Sequence, residues 1–444
     1  MDNIPDPQSK PSVAYAEALR RSVEAADRFA RSPRASQEQV QDAALAQLAE
    51  HAHRASPFWR ERLEASGWSP GRAFDRAALE RVAPLTRQEL LARADDIRAR
   101  PVDPAWGRIV TVATSGSTGT PVAVDRIATQ ALHYDTVTAL NHLWHRRDLS
   151  LKLVALRMNR KTVRRNDWGH PMSLLYRTGP AVGLASFGTT IEGEYDDLQA
   201  EKPDYFLTQP GRALGYSNLA AARGGSAHRI REFLTIGETV TPGLRELVRG
   251  AFGAEIKDIY STRDCGYLAL QCRTRERYHV LAEHVLVEVV GDDGRPAPPG
   301  RAGKVLVTIL HSLAMPIIRY DIGDVAVAGA EGCDCGLNLP ALDSLLGRHR
   351  NLARLPDGQL RYVQFSGKFF LEVGPVLDYR LIQRGASTME VYVQWGGPLD
   401  DGHRAGITQL VQKAMGFPIE VKVIQVARVE HTSASKREEF VRID

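Results

Sequence analysis

Apolar residues recur at helical spacing through the first hundred residues of the chain. The segment "VQDAALAQLAEHAHRA" carries them at intervals of three and four, which is the period of one helix face. A Ser-Pro step then restarts the pattern in "SPFWRERLEASG", as is typical of a helix N-terminus. The pattern predicts that residues 12–100 are mostly helical.

Short apolar runs alternate with helical patterns between about residues 108 and 260. The runs are "RIVTVAT", "KLVALRM", "AVGLASF", "DYFLTQ", "EFLTIG" and "AEIKDIY". Such alternation is typical of βαβ units around a parallel sheet, and ligands of these sheets bind at the carboxyl ends of the strands. The predicted fold class is therefore α/β.

The pattern changes in the last third of the chain. "HVLVEVV" and "KVLVTIL" flank the turn-rich "GDDGRPAPPGRAG", and "PIIRYDIGDVAVAG" follows, which predicts antiparallel strands of a small distorted β-barrel. After "LLGRHRN", strand patterns "TMEVYVQW" and "IEVKVIQVARV" and helix pattern "HRAGITQLVQKAMG" predict a small α+β domain. We therefore expect a large N-terminal domain at 1–347 and a small C-terminal domain at 348–444.

Composition narrows the class of protein. The 444 residues, 43% hydrophobic and 25% charged, are typical of a globular protein with two or three domains. A net charge of +4, from 57 basic and 53 acidic residues, argues against nucleic acid as a partner. No apolar stretch approaches the ~20 residues that cross a bilayer, and the N-terminal segment lacks the apolar core of a secretion signal. Four cysteines are too few for a disulfide scaffold, so we expect a cytoplasmic protein.

The hydroxyl-rich segment "TSGSTG", residues 114–119, directly follows the first strand-like run. Glycines let the main chain approach a ligand, and successive N–H groups together with hydroxyls suit an anion. The segment is not a Walker loop, since no Gly-Lys-Ser/Thr ends it, and it is not Gly-x-Gly-x-x-Gly. A phosphate-binding loop and an ordinary surface loop are the two interpretations.

Four segments in order resemble the adenylate-forming enzymes, which include acyl-CoA synthetases, peptide-synthetase adenylation domains and luciferases. They are "TSGSTG", "DIYSTRDCG" (258–266), "IRYDIGD" (318–324) and "LLGRHRN" (345–351). The phrases "HAHRASPFWRERLEASG", "APLTRQELLAR" and "KPDYFLTQP" are similar to the phenylacetate–CoA ligase branch, which has homologues in coenzyme and capsule biosynthesis. The resemblance spans roughly residues 45–440.

The resemblance implies an ATP site. The 115–119 loop holds the β- and γ-phosphates, Asp324 accepts hydrogen bonds from both ribose hydroxyls with help from Arg348, and Tyr260 stacks on adenine. The alternative role of Glu238, which follows Gly237 beside the adenine base, is to cap a helix. The alternative role of Asp324 is that of an ordinary turn residue. The implied nucleotide-binding residues are Thr114, Ser115, Gly116, Ser117, Thr118, Gly119, Gly237, Glu238, Tyr260, Ser261, Thr262, Asp324 and Arg348.

The resemblance also implies two catalytic residues and a hinge. Asp264 stands where the family has a glutamate that binds Mg²⁺; the shorter side chain reaches the ion directly or through water, and a helix cap is its alternative role. A family lysine near the C-terminus matches Lys436, although Ser435 replaces the preceding glycine. Lys368 in "SGKFF" is the rival, but it follows Arg348 by only 20 residues. Arg350 occupies the hinge position, where the family usually has Asp or Lys.

The cysteines form a second group of candidates. Six residues separate Cys272 from His279, and Cys333 and Cys335 form Cys-x-Cys further on. Thiolates and imidazole are ligands that zinc prefers, and four complete a closed structural site. The segments "QCRTRERYHV" and "GCDCGLNLP" resemble paired segments that carry a structural metal in some members of the branch. The alternative is buried free thiols beside an ordinary histidine, and Cys265 is left over in either case.

These patterns predict an AMP-forming ligase that uses ATP and Mg²⁺ to activate a small aryl or aryl-alkyl carboxylic acid and transfers the acyl group to CoA. The acid pocket is expected between the 203–212 segment, the 235–239 turn and Tyr260. One alternative is transfer to a carrier-protein thiol or an amine. Another is a degenerate nucleotide-binding homologue without turnover. No nucleic acid or membrane partner is expected, and a homodimer stays open.

Overall fold

The computed structural model of the protein describes residues 13–113, 121–348, 352–357, 360–361, 363, 370, 373–430 and 440–443. Four of the positions predicted above lie outside these residues: the phosphate loop at 114–119, Arg350, Lys368 and Lys436.

The N-terminal third of the chain is helical, as its apolar spacing predicts. Ser56 caps the third helix by accepting a hydrogen bond from the Trp59 amide at 3.3 Å, and Pro57 occupies the first helical position. The α-helices of the described residues are α1 (Val13–Arg31), α2 (Arg34–Ala55), α3 (Pro57–Ala65), α4 (Arg76–Arg81), α5 (Arg87–Ala92), α6 (Ala94–Ile97), α7 (Ala128–Trp144), α8 (Met172–Leu175), α9 (Ile191–Glu201), α10 (Pro210–Ala222), α11 (Pro242–Phe252) and α12 (Asp401–Met415). A short 3-10 helix spans Pro104–Trp106.

The strands form one large sheet, a small-domain sheet and two hairpins. They are β1 (Val110–Ala113), β2 (Ala123–Arg126), β3 (Leu153–Arg157), β4 (Val163–Arg165), β5 (Ala181–Ala185), β6 (Tyr205–Thr208), β7 (Glu232–Ile236), β8 (Glu255–Thr262), β9 (Gly266–Gln271), β10 (Tyr278–Val280), β11 (Val285–Val290), β12 (Ala302–Ile309), β13 (Tyr320–Ala328), β14 (Ala341–Arg348), β15 (Ala353–Arg354), β16 (Leu360–Arg361), β17 (Val376–Arg384), β18 (Thr388–Trp395), β19 (Glu420–Gln425) and β20 (Phe440–Ile443).

The large sheet has twelve strands in the order β11-β12-β13-β14-β10-β9-β8-β7-β6-β3-β5-β4. Strands β5, β3, β6, β7 and β8 run parallel, which confirms the α/β prediction. The strands expected in a small barrel, β11–β14, instead continue this same sheet in antiparallel pairing. The run "RIVTVAT" also differs from expectation, because β1 pairs only with β2 among the described residues, in a separate antiparallel hairpin.

Helices cover both faces of the parallel strands. On one face α9, α10 and α11 pack against a core that contains Phe206, Phe233 and Phe252. On the other face α1, α7 and α8 pack against a second core that contains Leu19, Leu140 and Met172. The carboxyl ends of the parallel strands therefore form one edge between the two helical layers, where ligands of such sheets bind.

The C-terminal residues form a small α+β domain with its own core. The four-stranded sheet β19-β18-β17-β20 carries α12, and their buried side chains include Leu381, Val391 and Val411. Strand β14 of the large sheet ends at Arg348, whereas Ala353 already belongs to the small-domain core. The boundary at 347/348 stays a prediction. Among the described residues, no helix has the length and apolar character needed to cross a bilayer.

Candidate active site

Three strands of the large sheet meet at the carboxylate of Asp324. This residue lies on β13 opposite Arg348, the last residue of β14. The Nε atom of Arg348 is 3.0 Å from Asp324 Oδ1, and the Tyr260 hydroxyl donates to Asp324 Oδ2 at 2.9 Å. Tyr260 is buried near the end of β8. The neighbouring strands therefore hold both carboxylate oxygens in place.

The protonation states of this group follow from its contacts. The Asp324 carboxylate raises the pKa of Arg348, whose Nη1 also donates to the Ile322 carbonyl at 2.9 Å. Burial, reinforced by Asp324, raises the pKa of Tyr260 well above 10.0. At neutral pH the carboxyl group of Asp324 consequently contacts the cationic guanidinium of Arg348 and the neutral phenol of Tyr260. An ionised carboxylate accepts through two oxygens, so Asp324 can bind a pair of vicinal hydroxyls.

Asp264 lies in the turn between β8 and β9, where a second tyrosine orients it. The hydroxyl of Tyr320 donates to Asp264 Oδ2 at 3.0 Å, and burial raises the pKa of Tyr320, so the phenol stays a neutral donor. Arg126, at the end of β2, donates from Nη2 to the Arg263 carbonyl at 2.6 Å. This contact ties the end of β2 to the turn that carries Asp264.

The turn after β7 lies against the end of β14. Gly237 has φ +89°, and Gly347 has φ +92°, a backbone conformation that favours glycine. A Cβ added at Gly347 would lie 3.2 Å from Thr239 Oγ1, so the close approach also needs glycine there. The Glu238 carboxylate accepts from the Gly211 amide in the first turn of α10 at 2.7 Å, which is the contact of a helix cap.

The end of β8 supplies the remaining predicted nucleotide residues. The Thr262 hydroxyl accepts from the Cys265 amide at 3.0 Å and so shapes the turn. Burial raises the pKa of the Cys265 thiol well above its usual value, which suits an inert buried thiol. The predicted site residues that lie together at this edge are Gly237, Glu238, Tyr260, Ser261, Thr262, Asp264, Asp324 and Arg348.

The four predicted zinc ligands are close together in the structure. Their ligand atoms all lie within 4.8 Å of one another. The Sγ atoms of Cys272 and Cys333 are 3.6 Å apart, and Cys335 Sγ is 3.2 Å from His279 Nε2. Ligands about 2.0–2.3 Å from a zinc ion at tetrahedral angles would be about 3.5–3.8 Å apart. The donor set therefore fits zinc, and so does the Cys272–Cys333 separation, whereas the Cys335–His279 separation is shorter than this range.

The protonation of Cys272 agrees with a metal ligand. Burial opposes its ionisation, but hydrogen bonds from His279 and Thr274 outweigh that effect and lower the pKa of the thiol to about 5, whereas burial and the neighbouring thiols raise the pKa of Cys335 to about 12. Thiolates rather than thiols bind metals.

Sequence reasoning missed Tyr320 and Arg126. Tyr320 lies inside "IRYDIGD", four residues before Asp324, so the same segment could have pointed to it. Arg126 has no comparable signal, because its contact joins residues 137 positions apart in the chain.

Comparisons with known proteins give two sequence relatives, and no family model matches the chain. The phenylacetate-coenzyme A ligase of Thermus thermophilus is 26% identical over 199 residues, which are 44% of this chain and 45% of that protein. The phenylacetate-coenzyme A ligase of Escherichia coli is 24% identical over 292 residues, 62% and 63% of the two chains. The chain thus matches less than two thirds of the length of either relative.

Solved structures match nearly the whole chain. A 2-hydroxyisobutyryl-CoA ligase in its postadenylation state, in complex with R3-HIB-AMP, has a TM-score of 0.74 at 17% identity and covers 94% of this chain and 92% of its own. An open conformation of that ligase, in complex with 2-HIB-AMP and CoA, has a TM-score of 0.57 at 94% and 93% coverage. An anthranilate CoA ligase in complex with anthranoyl-AMP has a TM-score of 0.54 at 12% identity and covers 74% of this chain and 66% of its own.

The chain is thus similar in part of its sequence to phenylacetate–coenzyme A ligases, and its fold is that of adenylate-forming CoA ligases.

Proposed function

We propose that this protein is an ATP-dependent, AMP-forming ligase that activates a carboxylic acid as its acyl-adenylate and transfers the acyl group to the thiol of CoA. The observation that carries the proposal is the convergence of Tyr260, Asp324 and Arg348 beside Asp264 at the carboxyl edge of the sheet. The relatives and neighbours named for phenylacetate and anthranilate support an aryl or aryl-alkyl acid.

The first step brings two anions together. A carboxylate oxygen attacks the α-phosphorus of ATP, and the bond to pyrophosphate breaks, so the protein must neutralise charge and position the reactants. Asp324 accepts hydrogen bonds from the ribose hydroxyls while Arg348 fixes its orientation, and Tyr260 packs on the adenine. The N–H groups of the 115–119 loop hold the departing phosphates.

A magnesium ion fits at Asp264. A carboxylate is the hard oxygen donor that this ion prefers, and the hydrogen bond from Tyr320 holds that carboxylate in one orientation. Bound there, the ion supplies neutralisation of phosphate charge. Asp264 is one methylene shorter than the glutamate of the family, so direct ligation and ligation through water both stay open.

The small domain supplies the remaining parts of the proposed cycle. Lys436 bridges the acid carboxylate and the α-phosphate in the first step, and rotation about the hinge at Arg350 then admits CoA. One neighbouring CoA ligase is known in a postadenylation state and in an open conformation, which supports a cycle of this kind. Zinc at Cys272, His279, Cys333 and Cys335 has a structural role away from the chemistry.

Pyrophosphate release tests the proposal. Purified protein is mixed with ATP, Mg²⁺ and a panel of carboxylic acids, with ATP alone and acid alone as controls. Acid-dependent release of pyrophosphate and AMP is expected for at least one acid, followed by a thioester when CoA is added. If ATP binds and no acid releases pyrophosphate, the protein is a non-catalytic homologue. If the acyl-adenylate persists in the presence of CoA but reacts with a carrier protein or an amine, the acyl acceptor is that carrier protein or amine and not CoA.

A further inference from the structure

Three histidines from three separate segments of the chain lie together beside helix α7. His133 belongs to α7, His284 lies in the connection between β10 and β11, and His311 follows β12. The rings of His133 and His284 are stacked, with centroids 3.5 Å apart and an angle of 18° between their planes. The ring of His311 is 5.9 Å from that of His284. These three residues form the histidine cluster.

The two stacked imidazoles are held in the neutral form. His284 is buried, and Nε2 of His133 is buried without a hydrogen-bond partner among the described residues. Burial, with His311 nearby, lowers the pKa of His133 to about 3. Burial also lowers the pKa of His284 well below 6.5, and the neighbouring histidines and Arg126 add to that effect. His311 is exposed, so the cluster borders solvent at that edge.

The groups around the cluster compensate little for a bound proton. Arg126, at the end of β2, is itself a cation. His51 on α2 contacts the Leu313 carbonyl at 2.8 Å, and Nε2 of His311 lies 3.3 Å from the carbonyl oxygen of Glu283. Burial raises the pKa of the Glu283 carboxyl, which favours its neutral form as the pH falls. A proton on the stack is therefore a buried charge near another cation, and such a charge is costly.

The helix that carries His133 also packs against the turn that carries Asp264. Tyr134, the next residue of α7, lies against Gly266, where an added Cβ would be 3.2 Å from Tyr134 Cε2. The guanidinium of Arg126 lies 5.5 Å from the centre of the Tyr134 ring and donates to the carbonyl of the residue before Asp264. Helix α7 and strand β2 thus contact the turn on both sides of Asp264.

We propose that the histidine cluster is a proton-sensitive switch, which holds α7 against the Asp264 turn while its imidazoles are neutral and releases α7 when they bind protons. In the released form each imidazole has its ordinary affinity for a proton, with a pKa near 6.5. The form that binds more protons gains population as the pH falls. Because His133 and His284 both lie in the stack, the ratio of released to closed protein should rise about 10²-fold for each pH unit below 6.5.

The switch goes beyond the proposed function, because it is a conformational equilibrium that needs no substrate. Release separates Tyr134 from Gly266 and so removes one support of the Asp264 turn. Above about pH 6.5 the closed form is fully populated, and in acid the site loses its shape reversibly. If the protein is the proposed ligase, the loss of shape also lowers its turnover in acid.

Amide hydrogen exchange followed by mass spectrometry tests the switch, since it measures local opening. Protection factors are measured on the full chain between pH 7 and 5 for peptides of α7 (residues 128–144) and of the turn (residues 263–270). In the wild type we expect protection in both to fall about 10²-fold per pH unit below 6.5. Peptides of β17 and β18 in the small domain should keep their protection.

Variants show whether the histidines cause the fall. His133→Phe and His284→Phe keep a flat ring in the stack but remove one titrating group each, so the fall should become about 10-fold per pH unit. His228→Gln is the matched control, since His228 lies between α10 and β7 with its Nε2 2.9 Å from the Pro203 carbonyl. It should behave as wild type. If a Phe variant fails to fold by circular dichroism, the other variant and the wild-type slope decide.

Two results overturn the inference, whether or not the protein turns over a substrate. One is protection of α7 that does not change with pH, and the other is an equal slope in the wild type and in both Phe variants. Pyrophosphate release is a separate measurement. Its absence with every acid overturns the proposed function, while the exchange data still decide the switch.

Discussion

At the residue scale, the pairing register of strands β13 and β14 orients the Asp324 carboxylate as a hydrogen-bond acceptor. Pairing of β13 with β14 sets Asp324 opposite Arg348, and the bend of β8 brings in the Tyr260 hydroxyl. The acid is thereby oriented before any ligand arrives. Preorganised groups of this kind cost little reorganisation when they bind.

Replacing Asp324 with alanine tests this acceptor. Two hydrogen bonds to a charged acceptor are lost, each worth about 1.5–3 kcal/mol, so the Kd for ATP should rise about 10²-fold or more while the fold persists. Titration calorimetry measures the Kd, and circular dichroism checks the fold. Asp343→Ala, at an exposed acid of the neighbouring strand β14, is the matched control and should leave ATP binding unchanged. An unaltered Kd in Asp324→Ala would remove Asp324 from the site.

The sequence could indicate these residues because each lies in a short segment that resembles a known one. Asp264 and Asp324 were predicted in this way, and Tyr320 could have been predicted with them. Arg126 could not, since it belongs to no such segment and its contact joins residues 137 positions apart in the chain.

At the element scale, a carboxylate is buried between three strands behind the site. Asp258 on β8 accepts hydrogen bonds from Thr235 on β7 at 2.6 Å and from Tyr278 on β10 at 2.9 Å. Burial nevertheless raises its pKa to about 6 from an unfolded value near 3.8. The folded protein thus holds this proton more tightly than the unfolded chain. The stability that Asp258 contributes is present below about pH 4 and is lost as the pH rises through about 6.

Comparison with Asp258→Asn isolates this effect from all other titrating groups. Asparagine does not titrate, so the variant's free energy of unfolding should rise relative to wild type as the pH increases from about 4 to 6. The gain should be about 3 kcal/mol, from roughly two pKa units at about 1.4 kcal/mol each. Urea unfolding at several pH values provides the measurement. A difference that does not change with pH would show that Asp258 titrates normally.

The cysteine cluster joins elements that are distant in sequence. Cys272 follows β9, His279 lies on β10, and Cys333 and Cys335 belong to the connection between β13 and β14. A zinc ion there would fasten that connection to the middle of the large sheet. Protein purified without added metal should contain about one zinc per chain by elemental analysis.

Variants of single cysteines check the assignment. Cys333→Ser should lose most of the zinc and lower the Tm, since a structural zinc site contributes to folding stability. Cys265→Ser, at the thiol outside the cluster, should keep the metal. Native protein that lacks zinc, with Cys333 and Cys335 freely alkylated, would contradict the prediction.

The strands themselves were easier to predict from the sequence than the neighbours with which they pair. Periodic apolar runs correctly indicated β3 and β5–β8, because burial on both faces demands continuous apolar strands. The partner of β1 and the continuation of the sheet through β9–β14 were not predictable, because pairing such as that of Tyr278 with Leu342 joins residues far apart in sequence. A local pattern carries no information about that register.

At the whole-molecule scale, the proposed chemistry depends on how the small domain meets the large one. The large sheet and its turns hold Asp264, Asp324 and Arg348, whereas both candidate lysines are expected in the small domain and lie outside the described residues. One arrangement would deliver a lysine to the adenylation step, and the other would admit CoA.

Alanine variants of the two lysines separate the rival assignments. The lysine stabilises the approach of the acid carboxylate to the α-phosphate most strongly in the transition state, so its loss lowers turnover more than binding. Lys436→Ala should reduce acid-dependent pyrophosphate release by about 10²-fold or more, the scale of one preorganised charge donor. The second step does not use this cation, so Lys436→Ala should still convert a supplied acyl-adenylate to thioester. Lys368→Ala, the matched control, should adenylate within a few-fold of wild type. The reverse pattern would move the catalytic role to "SGKFF".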